Sequence, residues 1–158
     1  MFNPFRFLPR SIVYAMIKAQ MSKSVPFARH AGVELQEIGD GTCQATLDQT
    51  DTSVNHIGSQ HAGALFTLGE AASGGAMAGA LAPVILTVRP LASNARITYS
   101  RVAKGTITAH ATTSRPGKDL LAEISDAGRT AFAVQVTLRD ESDAEVASMT
   151  VDWSVRKT

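Results

Sequence analysis

The residues of this sequence that are best suited to chemistry lie close together, between Asn55 and Glu70. Glu70 is the only carboxylate between Asp51 and Asp119, and its neighbours in the sequence are mostly apolar or small. A lone carboxylate on a helix that is otherwise apolar or small needs a reason, because an acid is costly to bury. One reason is a chemical role as a nucleophile or a general base. The alternative is a structural acid paired with an arginine or a histidine. We expect a reactive carboxylate in a cleft.

The segment that carries Glu70 is expected to form one long central helix over residues 59–81, with Pro83 ending it. Thirteen of the nineteen residues from Ala62 to Ala80 are Ala, Gly or Ser. An interior glycine costs a helix about 0.5–1 kcal/mol relative to Ala. This composition therefore indicates that other elements lie very close to the helix backbone. A transmembrane helix is the alternative, but an acid in its middle makes insertion costly, and we expect no stable membrane insertion.

Alternating apolar and polar residues predict β-strands on both sides of the central helix. Before it, the turn at residues 39–41 joins two alternating segments into a hairpin. After it, Pro90 indicates an edge or a break in a β-rich segment, because proline cannot donate to a ladder. A short helix is expected over residues 118–127, with Asp119 as its N-cap and Gly128 at its end. The expected later strands lie within 84–101, 106–114, 129–140 and 144–155.

The order of these elements predicts an α+β fold. One long helix covers a large sheet only if the sheet curls around it, so we expect a curved antiparallel sheet wrapped around the central helix. A length of 158 residues favours a single domain over residues 1–158.

Residues 1–25 are expected to form a helical extension at the N-terminus, with basic residues and no acid. A basic amphipathic helix lies on an anionic membrane surface or docks on protein. We expect docking on the domain itself or on a partner subunit.

Composition excludes several classes of function. A net charge of +1 and a charged content of 18% do not suggest disorder or a nucleic-acid surface. The single Cys43 excludes an intramolecular disulfide framework and fits a small buried side chain, so a cytoplasmic protein is expected. The histidines lack metal-binding spacing, and neither a metal site nor a cofactor is expected.

The spacing of the central residues resembles a known signature. Asn55, His61-Ala62-Gly63 and Glu70 resemble the Asn/Gln…His-Gly-Gly…Glu/Asp pattern of hotdog-fold acyl-CoA thioesterases. The types nearest to it are the phenylacetate-degradation (PaaI) type and the 4-hydroxybenzoyl-CoA thioesterase type with a carboxylate on the helix. The resemblance covers residues 30–156 by order of elements. One position departs from the pattern, since Ala62 stands where the family commonly has glycine.

The resemblance implies hydrolysis of acyl-CoA thioesters to a free acid and a thiol, with coenzyme A only as part of the substrate. It gives the Ala62 amide, next to Gly63 at the helix start, the role of an oxyanion hole. Asn55 would orient the thioester or the attacking water, and His61 would brace the junction between loop and helix. Glu70 would attack the acyl carbon or activate water for that attack.

Helix geometry adds an expectation about assembly. Ala62 and Glu70 are eight residues apart, which is about 12 Å along a straight helix. Both groups cannot touch one thioester carbon, so the site requires the helix start of one chain and the Glu70 of another. We expect a homodimer with two equivalent sites, as the resemblance also implies, and a pairing of dimers into a tetramer stays open.

Further side chains are candidates for contact with substrate. Thr67 and Ser73 share the helix face of Glu70 and can hold the water or the carboxylate, while Phe66 and Met77 line either the acyl pocket or the core. Four basic residues near strand ends either contact the phosphates of coenzyme A or are ordinary solvated charges: Arg101, Lys104, Arg115 and Lys118.

One rival function belongs to another class. A hotdog domain that binds acyl-CoA or a lipid without turning it over would have the same fold. Release of thiol from acyl-CoA that depends on Glu70 separates the enzyme from this rival.

Overall fold

The computed structural model describes residues 8–158. Residues 1–7, which belong to the predicted N-terminal extension and include Arg6, lie outside the described part. The elements in chain order are α1 (Arg10–Ser24), α2 (Pro26–His30), β1 (Val33–Gly39), β2 (Thr42–Leu47), α3 (Ala62–Ala80), a 3-10 turn (Ile85–Thr87), β3 (Val88–Tyr99), β4 (Ile107–Thr113), α4 (Gly117–Ala127), β5 (Arg129–Arg139) and β6 (Glu145–Lys157).

The six strands form one antiparallel sheet in the order β1-β2-β4-β5-β6-β3. The hairpin predicted before the central helix is β1 and β2, which pair directly. Pro90 lies in β3, which is an edge strand of the sheet, as the sequence predicted. The long helix α3 packs on the inner face of the sheet, and the predicted α+β architecture is confirmed.

Close contact between α3 and the sheet explains the glycines of the helix. A Cβ atom built at Gly69 would lie 2.6 Å from Met149 Sδ, and one at Gly75 would overlap Cys43. At Gly79 the obstacle is the backbone carbonyl of Gly39, which cannot rotate away. The glycines thus let the strands approach the helix backbone. This is the close approach that was predicted from glycines that otherwise destabilise a helix.

The helix α1 docks on its own domain, as expected. Val13 and Ile17 are buried in the core, and Lys18 Nζ donates to the Gln36 carbonyl at 3.0 Å. Met21 lies over α3, since its Cε is 3.5 Å from a Cβ built at Gly74. The helix therefore covers the part of α3 that follows Glu70.

The short helix α4 differs from its prediction at the start. It begins at Gly117 after Pro116, and no side chain caps it, so the assignment of Asp119 as N-cap was wrong. Asp119 lies in the first turn instead, where a carboxylate still interacts favourably with the helix dipole. The predicted end is correct: Gly128 is the C-cap with φ 69°, a left-handed conformation suited to glycine.

Candidate functional site

A tight loop precedes the start of α3. The Asn55 side chain closes it: Oδ1 accepts from the backbone N–H groups of Ile57 at 3.1 Å and Ser59 at 3.2 Å. Nδ2 donates to Ser59 Oγ at 2.9 Å. Because an amide nitrogen carries two hydrogens, one donor of Asn55 is left for another acceptor. The half-buried Asn55 thus builds the loop and keeps a polar group at its surface.

His61 is the N-cap of α3. Its Nδ1 accepts from the Gly63 N–H at 2.9 Å, and its backbone N–H donates to the Ser53 carbonyl at 2.8 Å. These contacts join the loop to the helix. The cap also engages the Gly63 amide, so this amide is not free for a substrate oxygen in the described structure.

The Ala62 amide is different. Within residues 8–158 its N–H has no hydrogen-bond acceptor, and Ala62 is exposed at the positive end of the helix. Its carbonyl accepts from the Tyr99 hydroxyl at 2.9 Å, which ties the helix start to the end of β3. The Ala62 N–H is therefore a free donor at the helix start, and its role as an oxyanion hole stays a prediction.

Glu70 lies two turns into the helix and is half-buried. Among the described residues its carboxylate has no hydrogen bond and no ion pair, which argues against the structural alternative of an acid paired with arginine or histidine. Burial raises the pKa of the Glu70 carboxyl above its ordinary value. An unpaired carboxylate in partial burial costs free energy, and such groups are concentrated at functional sites.

The two hydroxyls predicted to assist Glu70 are occupied elsewhere. Thr67 Oγ1 donates to the Gly63 carbonyl at 2.9 Å. Ser73 is fully buried; its Oγ donates to the backbone carbonyl of Glu70 at 2.7 Å and accepts from the indole N–H of Trp153 at 3.3 Å. Ser73 therefore links α3 to β6, and its contact with the Glu70 carboxylate or a water stays a prediction.

The two predicted pocket residues also belong to the packing of the core. Met77 is buried at 4% exposure, and Phe66 is partly buried against the core cluster. Met77 is thus a core residue, which was the alternative to a place in the acyl pocket. Phe66 keeps some exposed surface one turn before Glu70.

The four basic candidates divide into two pairs at opposite ends of α3. Arg101 and Lys104 are exposed in the segment whose Ala103 carbonyl accepts from the Gln60 N–H at 2.8 Å, next to the helix start. Arg115 is bound instead to Glu123, with Nη1 donating to Oε2 at 3.1 Å, and this pairing raises the pKa of the guanidinium.

Lys118 stands in the first turn of α4, near the other end of α3. Arg115 and Lys118 therefore lie away from the helix start, which favours for them the alternative of ordinary surface charges that the sequence left open.

Two residues near the site were not predicted from the sequence. Tyr99 holds the Ala62 carbonyl, although it stands 37 positions away. Gln60 is buried at 3% exposure, and its Nε2 donates to the carbonyls of Leu47 and Gly105, both at 3.2 Å, while Oε1 has no partner in the described residues. Both contacts depend on tertiary pairing, so no local pattern indicated them.

A cavity of about 670 Å³ lies beside α1 and the end of α3, where Gly79, Ala80 and Pro83 line it, and it includes neither Ala62 nor Glu70.

Within residues 8–158, no group of three or more His, Cys, Asp or Glu side chains is placed to hold a metal ion. No helix of this part is both long and apolar enough to cross a membrane.

A protein-family model matches residues 14–155, and it is described as a domain of unknown function, DUF4442. The chain belongs to the DUF4442 family. Among curated proteins, none matches this DUF4442 chain.

Solved structures share the fold of this DUF4442 chain. A Pseudomonas aeruginosa protein of unknown function, described as a probable thioesterase, is 23% identical with a TM-score of 0.76, over 96% of this chain and 97% of that one. The Escherichia coli PaaI protein from the phenylacetic acid degradation operon is 19% identical with a TM-score of 0.71, over 95% and 96%. A hypothetical thioesterase from Streptococcus pneumoniae, crystallised with coenzyme A, is 21% identical with a TM-score of 0.65, over 87% and 98%.

These likenesses confirm the predicted hotdog fold.

Proposed function

We propose that this protein hydrolyses acyl-CoA thioesters, with Glu70 as the nucleophile or general base. The observation that carries the proposal is the Glu70 carboxylate, which is half-buried, has a raised pKa and lacks a partner among residues 8–158. The neighbouring structures described as thioesterases, one of them holding coenzyme A, support this class of substrate.

The proposed reaction needs a base and an oxyanion donor. Glu70 takes a proton from water while the water oxygen bonds to the acyl carbon, and the Ala62 N–H stabilises the oxyanion. Collapse of the intermediate breaks the carbon–sulfur bond, and the coenzyme A thiolate takes the proton from Glu70, which returns to its ionised form. In the nucleophilic variant, Glu70 itself bonds to the acyl carbon, coenzyme A leaves, and water hydrolyses the resulting anhydride.

The two groups are proposed to meet across a homodimer. They lie about 12 Å apart along α3, so one chain cannot apply both to the same carbon. The outer side of β3 has no strand paired to it in the described chain, and Leu91 on that strand is 65% exposed. An uncovered edge with apolar side chains favours pairing with a second copy.

A panel of acyl-CoA substrates with a thiol reagent tests the activity. Wild type is expected to release thiol from at least one substrate, and Glu70→Ala to lose the activity by a factor of about 10² to 10⁴. Glu37→Ala, which removes an exposed carboxylate from β1, is the matched control and should keep it. Tight binding of acyl-CoA without thiol release would support the non-catalytic rival.

Mixing two inactive variants tests whether the site is shared. Glu70→Ala lacks the carboxylate, and Ala62→Pro lacks the amide hydrogen. A randomly exchanged mixture should recover about one quarter of wild-type activity, because half of the dimers are mixed and each has one complete site. No recovery after verified exchange of subunits would show that each site is built within one chain.

A further inference from the structure

Three arginines stand side by side on the outer face of the sheet. Arg156 of β6 is directly opposite Arg89 of β3 on one side and Arg129 of β5 on the other. All three are exposed, and each stands next to a buried residue of its own strand, namely Val88, Thr130 and Val155. Since paired strands lie about 4.8 Å apart, the row spans about 10 Å across three strands.

The charges of this arginine row (Arg89, Arg156 and Arg129) are not neutralised by the protein. Among residues 8–158, none of the three side chains forms an ion pair or a hydrogen bond. Glu123 of α4, which lines the cavity beside Arg129, is already bound to Arg115 and Thr130. Like charges directly opposite each other destabilise a sheet, so the free protein carries a cost that an anion would relieve.

The surface around the row has room for a small ligand. A cavity of about 590 Å³ lies between β3 and the end of β6, lined by Arg89, Leu91, Ser154 and Arg156. A second cavity of about 420 Å³ lies on the β5 side and shares Ser154 and Arg156 with the first, and Arg129 lines it. Both volumes are in the range of small-molecule sites.

We propose that the arginine row binds the phosphoryl groups of a small phosphorylated ligand. The guanidinium group is suited to this task, because its planar donors bind phosphate oxygens in pairs. Two neighbouring arginines at this spacing can each bind one phosphoryl group of a diphosphate, so a diphosphate is expected to bind more tightly than orthophosphate.

This site is separate from the proposed thioester site of the same chain. The row lies near the end of β6, whereas the Arg101 N–H donates to Val146 at the start of that strand. Ten residues of strand separate Val146 from Arg156, which is about 33 Å. The Glu70 end of the proposed site is nearer, because Trp153, which donates to Ser73 of α3, stands three residues before Arg156. Trp153 is buried against α3, however, and the exposed Arg156 lies on the other face of the sheet. The inference therefore does not depend on thioesterase activity.

Thermal unfolding and calorimetry with inorganic pyrophosphate test the proposal, with potassium chloride at equal ionic strength as the control for simple screening. Wild type should bind pyrophosphate and melt at a higher temperature in its presence. Arg156→Gln should weaken binding at least tenfold and, without ligand, melt at a higher temperature than wild type, because it removes the central like charge. If Arg156 instead stabilised the fold, Arg156→Gln would melt at a lower temperature than wild type without ligand.

The matched control is Arg96→Gln, on the same strand as Arg89 but opposite the neutral Thr150. It should keep pyrophosphate binding within about twofold of wild type, since it lies outside the row. Arg89→Gln provides a second test variant that should lose binding. Three results would overturn the proposal: no binding beyond the salt control, binding that survives Arg156→Gln and Arg89→Gln, or equal loss in Arg96→Gln.

Discussion

At the scale of single residues, Glu70 shows a conflict between stability and chemistry. Its pKa is raised by burial, so the folded protein holds the proton more tightly than the unfolded chain does. The contribution of Glu70 to the free energy of unfolding is fully present at pH values below 4.5, the ordinary pKa of the carboxyl. This contribution is lost as the pH rises through the raised pKa of the folded state. At neutral pH the ionised carboxylate therefore weakens the fold.

We expect Glu70→Gln to melt at a higher temperature than wild type at pH 7.5, because glutamine is neutral and nearly isosteric. The difference should shrink as the pH falls toward 4.5, where wild-type Glu70 becomes protonated in both states. Thermal unfolding of both proteins across this range measures it. A variant that is less stable at neutral pH would mean that the carboxylate has a favourable partner.

Ala62→Pro removes one N–H and little else. Proline is favoured at the first position of a helix, and the preceding His61 already has φ −68° and ψ 140°, which a following proline requires. The turnover number should fall by about 10² to 10³, the loss typical of one oxyanion donor, with an unchanged melting temperature. Ala62→Ser keeps the N–H and should stay active; equal losses in both variants would point to the side chain instead.

At the scale of elements, the contact between α3 and the sheet rests on particular glycines. Gly79→Ala places a methyl group against the immovable carbonyl of Gly39 and should destabilise the protein by about 1–3 kcal/mol. Gly74→Ala meets Met21 Cε at 3.5 Å and the Trp153 ring at 3.8 Å, both ordinary contact distances, and should be neutral or stabilising by up to about 1 kcal/mol. Urea unfolding measures the free energy of unfolding of both variants. Equal changes in the two would show that helix propensity, and not contact with β1, determines the effect of the substitution.

The elements were predictable to the extent that local patterns determine them. Alternation predicted the strands, and the small residues predicted a closely wrapped helix, because both are properties of neighbouring residues. The start of α4 was mispredicted because Pro116 sets it without a side-chain cap. Contacts such as Tyr99 with Ala62, and the row of arginines, depend on strand register, which the sequence does not show.

At the scale of the whole molecule, the uncovered edge of β3 leads to a prediction about assembly. If the folded chain is a dimer, its melting temperature should rise with protein concentration, because association stabilises the folded state by mass action. Unfolding measured over a hundredfold range of concentration, together with the mass in solution, tests this. A constant melting temperature with a monomeric mass would contradict a site shared between two chains.

The link between β6 and α3 also supplies an optical probe. Trp153 is the only tryptophan, it is 7% exposed, and its indole donates to Ser73, whose hydroxyl donates to the carbonyl of Glu70. Indole emission shifts with local polarity and hydrogen bonding, so its fluorescence should report when a ligand displaces the helix around the acid. Adding ligand stepwise while recording the Trp153 fluorescence would then measure the fraction of protein with ligand bound, without an added label.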